Sequence, residues 1–226
     1  MNSIRSFRAS FVAFLLLPTT VSGQSFVSGQ LSVLEKDGVR SNDLSNAVIW
    51  LESVGSDAPS RPTSVQIAME SRQFVPRVQV VPVGSTVEYP NHDPFRHNVF
   101  SKSGPAEFDL GLYARGERRP MRFERPGVYP IFCNIHAKMV AYVIAITSPR
   151  SVRPGADGRF SFASIPPGSY TLKVWHDRGG RWSRLIVLPN EGVAPLTIQL
   201  DARSYQPAQH KNKFGKAYTT TGSDRY

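Results

Sequence analysis

Short apolar runs that alternate with polar residues, broken every few positions by Gly, Pro or Asp, recur along this chain. No stretch beyond the N-terminal leader holds a helical period. Side chains of a strand point to opposite faces in turn, so alternation of this kind buries one face of a sheet and predicts an all-β protein. The runs at 26–34, 47–51, 65–69, 78–83, 86–89 and 121–123 read as strands, as do those at 128–133, 140–147, 159–162, 170–176, 183–188 and 196–200. Asp37-Gly38, Pro126-Gly127, Asp157-Gly158, Pro167-Gly168, Gly179-Gly180 and Glu191-Gly192 mark turns between them.

The leader is a different kind of segment. Arg5 and Arg8 precede a short apolar run at 11–17, and Val21-Ser22-Gly23 supplies small residues before Gln24. This pattern predicts a signal peptide at 1–23 and export to the periplasm. The apolar run is too short to span a bilayer, no second one follows, and no stable membrane insertion is expected. Removing 1–23 takes two arginines and no acid, so the formal charge falls from +10 to about +8, which suits acidic partners. Nucleic acid is a poor partner for an exported chain with no recognition motif. One cysteine cannot form an internal disulfide, so a lone exported thiol needs a task or a burial place.

That cysteine opens the stretch FCNIHAKMVAYV. Cys133 ends one strand-like run, His136 follows three positions on, and Met139 three beyond that, at the start of the next run. The spacing predicts a tight loop on which a thiol, an imidazole and a thioether converge on one ion. A fourth donor must come from elsewhere, and YPNHDPFRHNVFS places His97 before an apolar strand. Two imidazoles, a thiolate and a weak thioether are the donors of a blue-copper electron-transfer site. Zinc is a poorer match, because structural zinc takes four Cys or His ligands and a thioether serves it badly. His92 reads as an exposed turn residue whose nearness to His97 keeps it as a substitute donor. His176 reads as structural, and His210 as part of a solvated tail. Trp50, Trp175, Trp182, Met69 and Met121 read as core or sheet residues.

On these motifs, His97-Asn98 with Cys133-x-x-His136-x-x-Met139, the stretch 65–147 resembles the cupredoxins, with a loop most similar to that of amicyanin. HNVFS, FDLGLY and FCNIHAKM are also similar to exported plastocyanin-like proteins labelled methylamine utilisation proteins. The resemblance implies a Greek-key β-sandwich and one mononuclear type 1 copper, with His97, Cys133 and His136 as strong ligands and Met139 as the weak axial one. It also implies that Asn98 bonds across to the cysteine loop, and that the edge of His136 is the exposed electron port. Where family members often carry proline beside the loop histidine, this chain has Ile135 and Ala137.

The flanks resemble a second module. SGQLSVLEKDGVRSNDLSNAVIWLE is similar to the opening strands of a carboxypeptidase regulatory-like (prealbumin-like) β-sandwich. ADGRFSFASIPPGSYTLKVWHD and SRLIVLPNEGVAPLTIQL are similar to the rest of it. The expected organisation is a split sandwich at 24–63 and 148–203, a cupredoxin domain at 64–147 inserted between its halves, and a basic flexible tail at 204–226. One extended sandwich of three consecutive β segments is the alternative.

No catalytic triad, paired carboxylates or phosphate loop is present, and there is only one copper constellation, so an enzyme is not expected. The expected function is one-electron transfer in the periplasm with a redox partner, a cytochrome or dehydrogenase bearing an acidic patch. Arg96 and Lys138 adjoin ligand positions and would meet that patch. Arg115, Arg118, Arg119, Arg122 and Arg125 read first as a solvated face. Copper capture and delivery, or an adhesion module stabilised by a metal, are the rival readings.

Overall fold

A computed structural model describes residues 25–41, 43–55, 57–58, 60–190, 192–207 and 211–218. The expected leader at 1–23, His210 and the last residues of the tail lie outside the described residues. Among the described residues the regular structure is strand, apart from one 3-10 turn at Lys36–Gly38. No helix among them is long and apolar enough to cross a membrane.

The central segment builds two main sheets. One runs Val78–Pro82, Val140–Ile146, Gly127–Phe132, His97–Ser101, Phe108–Tyr113, and the other Arg118–Phe123, Ser85–Pro90, Ser64–Gln66. Met69, Val87, Tyr89, Val99, Phe123, Tyr129 and Ile131 fill the core they share. The run at 65–69, expected as one strand, is split at the buried Ile67. Ser64–Gln66 joins the three-stranded sheet, and Ala68–Glu70 pairs with Gln73–Val75 instead. Phe108–Tyr113 was not foreseen. It is an edge strand interrupted by Gly111 in a left-handed conformation, and its burial does not alternate.

Strands on either side of this segment pair with each other. Ser25–Leu34 lies between Arg159–Ile165, antiparallel, and Leu196–Asp201, parallel. Val48–Ser53 lies between Arg150–Val152 and Gly168–His176, with Gly180–Leu188 beyond. The turn feeding Arg159–Ile165 needs its glycine. Gly158 sits at φ +79°, and a Cβ there would meet the Leu31 carbonyl oxygen at 2.1 Å. Val27, Leu31, Ile49, Leu51, Leu172, Val174 and Ile198 form the core of these flanking sheets.

Three strands carry apolar residues on both faces because each is covered on both. In Val140–Ile146, Ala141, Val143 and Ala145 face the central core, while Ile144 and Ile146 face outward. There they meet Val48, Trp50 and Trp175, whose strand neighbours Ile49, Leu51, Leu172 and Val174 point into the flanking core. Each fully buried Val or Ile contributes about 1.5–3 kcal/mol, so this third apolar cluster is a firm joint. Polar bonds rim it. Arg153 donates to the carbonyls of Val78 at 2.6 Å and Ser45 at 2.7 Å, and Arg77 Nε lies 3.1 Å from Asp177 Oδ2.

Residues 211–218, within the stretch expected to be a tail, bond back to the central segment. Asn212 closes a turn, its N–H donating to the Lys216 carbonyl at 2.8 Å, and the Lys213 N–H donates to Asn134 Oδ1 at 2.9 Å. Bonds to a loop far away in sequence leave no periodic mark, so composition alone reads as solvated.

Candidate metal centre

His97 opens a strand, Cys133 follows the end of its neighbour, and His136 lies in the loop that leads to Val140–Ile146. The loop is closed by the Cys133 N–H donating to the Met139 carbonyl at 3.3 Å and the Met139 N–H donating to the His136 carbonyl at 3.1 Å. Cys133 Sγ stands 3.7 Å from His97 Nδ1 and 3.7 Å from His136 Nδ1, and the two nitrogens are 3.1 Å apart. Three donors in a trigonal arrangement around one ion, at about 2.0 Å for nitrogen and about 2.3 Å for sulfur, would stand about 3.5–3.7 Å apart. The triangle fits that requirement, with its N–N edge slightly short. His97 and Cys133 are fully buried and His136 half-buried. Met139 is buried in the same apolar cluster as Cys133. His92 is exposed, with Nδ1 3.9 Å from Glu70 Oε2, and is not part of the triangle.

The local chemistry prepares each donor. His97 Nε2 lies 2.7 Å from Asp93 Oδ2, so that nitrogen carries the proton and the Nδ1 lone pair faces the triangle. Burial holds the His97 pKa below its usual value although Asp93 opposes the shift, so the ring is neutral at pH 7. Burial would raise Asp93, but the amides of Arg72 and Ser71 and the His97 ring more than offset it and keep it ionised. Burial pushes the Cys133 thiol up, while backbone amides of Asn98, Ile135 and His136 favour the thiolate. A metal ion would displace that thiol proton.

Asp93 was not singled out in the sequence, and its role reaches further back. Ser71 and Arg72, at φ 53° and 57°, form the turn between Ala68–Glu70 and Gln73–Val75. A left-handed conformation costs a non-glycine residue about 1–2 kcal/mol. Both amides donate to the Asp93 carboxylate, at 2.7 and 2.9 Å, and such charge-assisted bonds offset the strain. Phe95 was missed as well. Its ring packs against His97 and His136, with centroids 5.2 and 5.6 Å away, under the Arg72 guanidinium.

Asn98 bonds across to the cysteine loop through its main chain. Its backbone amide faces the cysteine sulfur, but its side chain donates to Asp109 Oδ1 at 2.7 Å instead of reaching the cysteine loop. The carboxylate on the adjacent strand is the stronger acceptor. The arginine run lies on and beside the edge strand Arg118–Phe123, where Arg118, Arg119 and Arg122 face Glu88, Glu117 and Glu124. It is a solvated face with local counter-charges.

No protein-family model matches the chain. Amicyanin-alpha of Methylorubrum extorquens is 32% identical over 97 residues, an alignment that covers 42% of this chain and 79% of that protein. Among solved structures, a copper-containing nitrite reductase from Thermus scotoductus SA-01 matches at 32% identity with a TM-score of 0.36. That match covers 42% of this chain and 24% of the reductase, so the chain spans about a quarter of the larger protein. Amicyanin from Paracoccus versutus matches at 23% identity and a TM-score of 0.35, covering 42% of this chain and 91% of that one.

Proposed function

The chain belongs to the amicyanin-like cupredoxins, whose cofactor is one type 1 copper, and from that premise we propose that it is a periplasmic carrier of single electrons between redox partners. The observation that carries this reading is the triangle of His97 Nδ1, Cys133 Sγ and His136 Nδ1. In this reading those three are the strong ligands and the buried Met139 is the weak axial donor. Copper held there supplies a centre that accepts and returns one electron.

The protein's part is to keep the donors still. His97 is oriented by Asp93, and Asp93 by the Ser71-Arg72 turn. The amides of Asn98, Ile135 and His136 stabilise negative charge on Cys133. Phe95 and the apolar core limit access of water to the two imidazoles. A cage that changes little with charge state keeps reorganisation small.

His136 is the half-buried edge of the site, flanked by the exposed Ile135 and Ala137, and is the proposed electron port. Arg72, Arg77 and Lys138 line the groove beside it, and Arg96 is exposed next to His97. These cations suit a redox protein with an acidic patch. The proposal extends to organisation. Residues 24–63 and 148–203 would form one prealbumin-like sandwich that carries the copper domain, 64–147, as an insertion. The pairing of Ser25–Leu34 with strands from beyond residue 158 supports this. The leader at 1–23 supports export.

The test is a visible-absorption titration of the mature protein with Cu(II), beside a Cys133→Ser control. An intense thiolate-to-copper band that saturates at one equivalent and disappears on reduction and in the control is expected. Copper binding without that band would remove electron transfer as the function.

A further inference from the structure

Residues 211–218 make two contacts with the metal-binding loop and one with the nearby strand Phe108–Tyr113. The Tyr218 hydroxyl donates to the carbonyl oxygen of Cys133 at 2.6 Å. The Lys213 N–H donates to Asn134 Oδ1 at 2.9 Å. The Lys213 ammonium lies 2.8 Å from Asp109 Oδ2. Asp109 accepts through its other oxygen from the Asn98 side chain at 2.7 Å and the Gly111 amide at 2.9 Å. One short segment thus joins the loop that carries Cys133 and His136 to Asp109, the carboxylate that holds the Asn98 side chain beside His97.

The segment is shaped for this. Asn212 Oδ1 accepts from the amides of Phe214 and Lys216, both at 3.0 Å, and closes the turn that presents Lys213. The loop needs outside support, because its own backbone bonds are the long ones from Cys133 and Met139, at 3.3 and 3.1 Å. Ile135, Ala137 and Lys138 project into solvent, without the proline that would stiffen the loop.

We propose that residues 211–218 are a strap on the metal-binding loop, and that Tyr218 and Lys213 are positioning residues that hold the Cys133–His136 ligands in place. This rests on the copper reading above. Each tie is a modest contribution to the whole fold but a large one to a single exposed loop. The strap also acts on the electron. The reduced centre carries one positive charge fewer, so the Lys213 ammonium and the Tyr218 O–H dipole aimed at Cys133 favour reduction.

The experiment compares the full mature protein with Tyr218→Phe, Lys213→Met and a chain ended after Pro207. Loaded with one equivalent of copper, the variants should keep the thiolate-to-copper band, bind copper about 10-fold more weakly and show a lower reduction potential. In the copper-free proteins, amide hydrogen exchange across 133–139 should be faster in every variant and unchanged in Gly168–His176. Copper affinity, potential and loop exchange all equal to the parent's would overturn the proposal, as would loss of protection throughout the protein. If the parent itself lacks the band, the copper reading fails, and loop exchange in the copper-free proteins still decides the strap.

Discussion

His97 and His176 are both fully buried and both stand beside an aspartate, yet only one faces a metal site. In the central sandwich, His97 Nε2–H donates to Asp93 and leaves the Nδ1 lone pair pointing at Cys133 and His136. In the flanking sandwich, Nδ1 of His176 accepts the amides of Arg178 and Gly179, at 3.3 and 3.0 Å, so its lone pair is consumed by a turn. Asp177 lies 3.6 Å from the other nitrogen and bonds instead to Asn46 and Arg77. Burial and a carboxylate neighbour are therefore not enough. A histidine becomes a ligand when its lone pair is uncommitted and converges with other donors.

The two sandwiches can be separated by experiment. Cys133→Ser should abolish the thiolate-to-copper band completely while His176→Gln keeps it at full intensity. A band lost in both would mean that the flanking sandwich shapes the site. Asp93→Asn keeps the side-chain shape but removes the charge that orients His97 and holds the Ser71-Arg72 turn. Copper affinity should fall 10- to 100-fold, measured by competition with a chelator, and an unchanged value would remove Asp93 from the site.

Leu172→Ala opens a cavity in the flanking core and should cost about 2–5 kcal/mol in a denaturant titration. The copper band should stay unshifted in the remaining folded protein. A shifted band would show that strain crosses the joint formed by Trp50, Trp175, Ile144 and Ile146.

A pH titration sharpens the contrast further. Burial lowers the His176 pKa from 6.5, with Asp177 and Asp43 opposing and Arg178 adding to it, so the folded ring is neutral and takes up a proton on unfolding. A depressed folded value means that this contribution is complete above the unfolded pKa and is lost as pH falls through the folded one. Stability of the copper-free protein should therefore decline as pH falls below the ordinary histidine value of 6.5, and His176→Gln should flatten that decline. The smallest effect belongs to the surface. Charge removal by Lys138→Gln with Arg96→Gln should slow electron exchange with an acidic partner a few-fold at low salt and not at high salt. Equal rates at low salt would place the docking face elsewhere.

Local pattern carried much of this. Period-two alternation and Gly-bearing turns marked most strands, because the pleat and the positive φ of turn residues are properties of neighbouring positions. Cys133, His136 and Met139 were legible for the same reason, since one tight loop holds all three. The split of 65–69 at Ile67 was not, because both halves are apolar and only sheet partners distinguish them. Asp93 was hidden between two more conspicuous histidines, although its place two residues before Phe95 and four before His97 was open to view.

What the sequence determined by itself is therefore the all-β class and the donor types, through patterns that span a few residues. Tertiary structure alone decided which histidine keeps a usable lone pair, that Ser25–Leu34 pairs in parallel with Leu196–Asp201, and that Tyr218 reaches the Cys133 carbonyl. The physical reason is range. Strand polarity and alternation are set by adjacent residues, whereas these contacts join positions far apart in the chain.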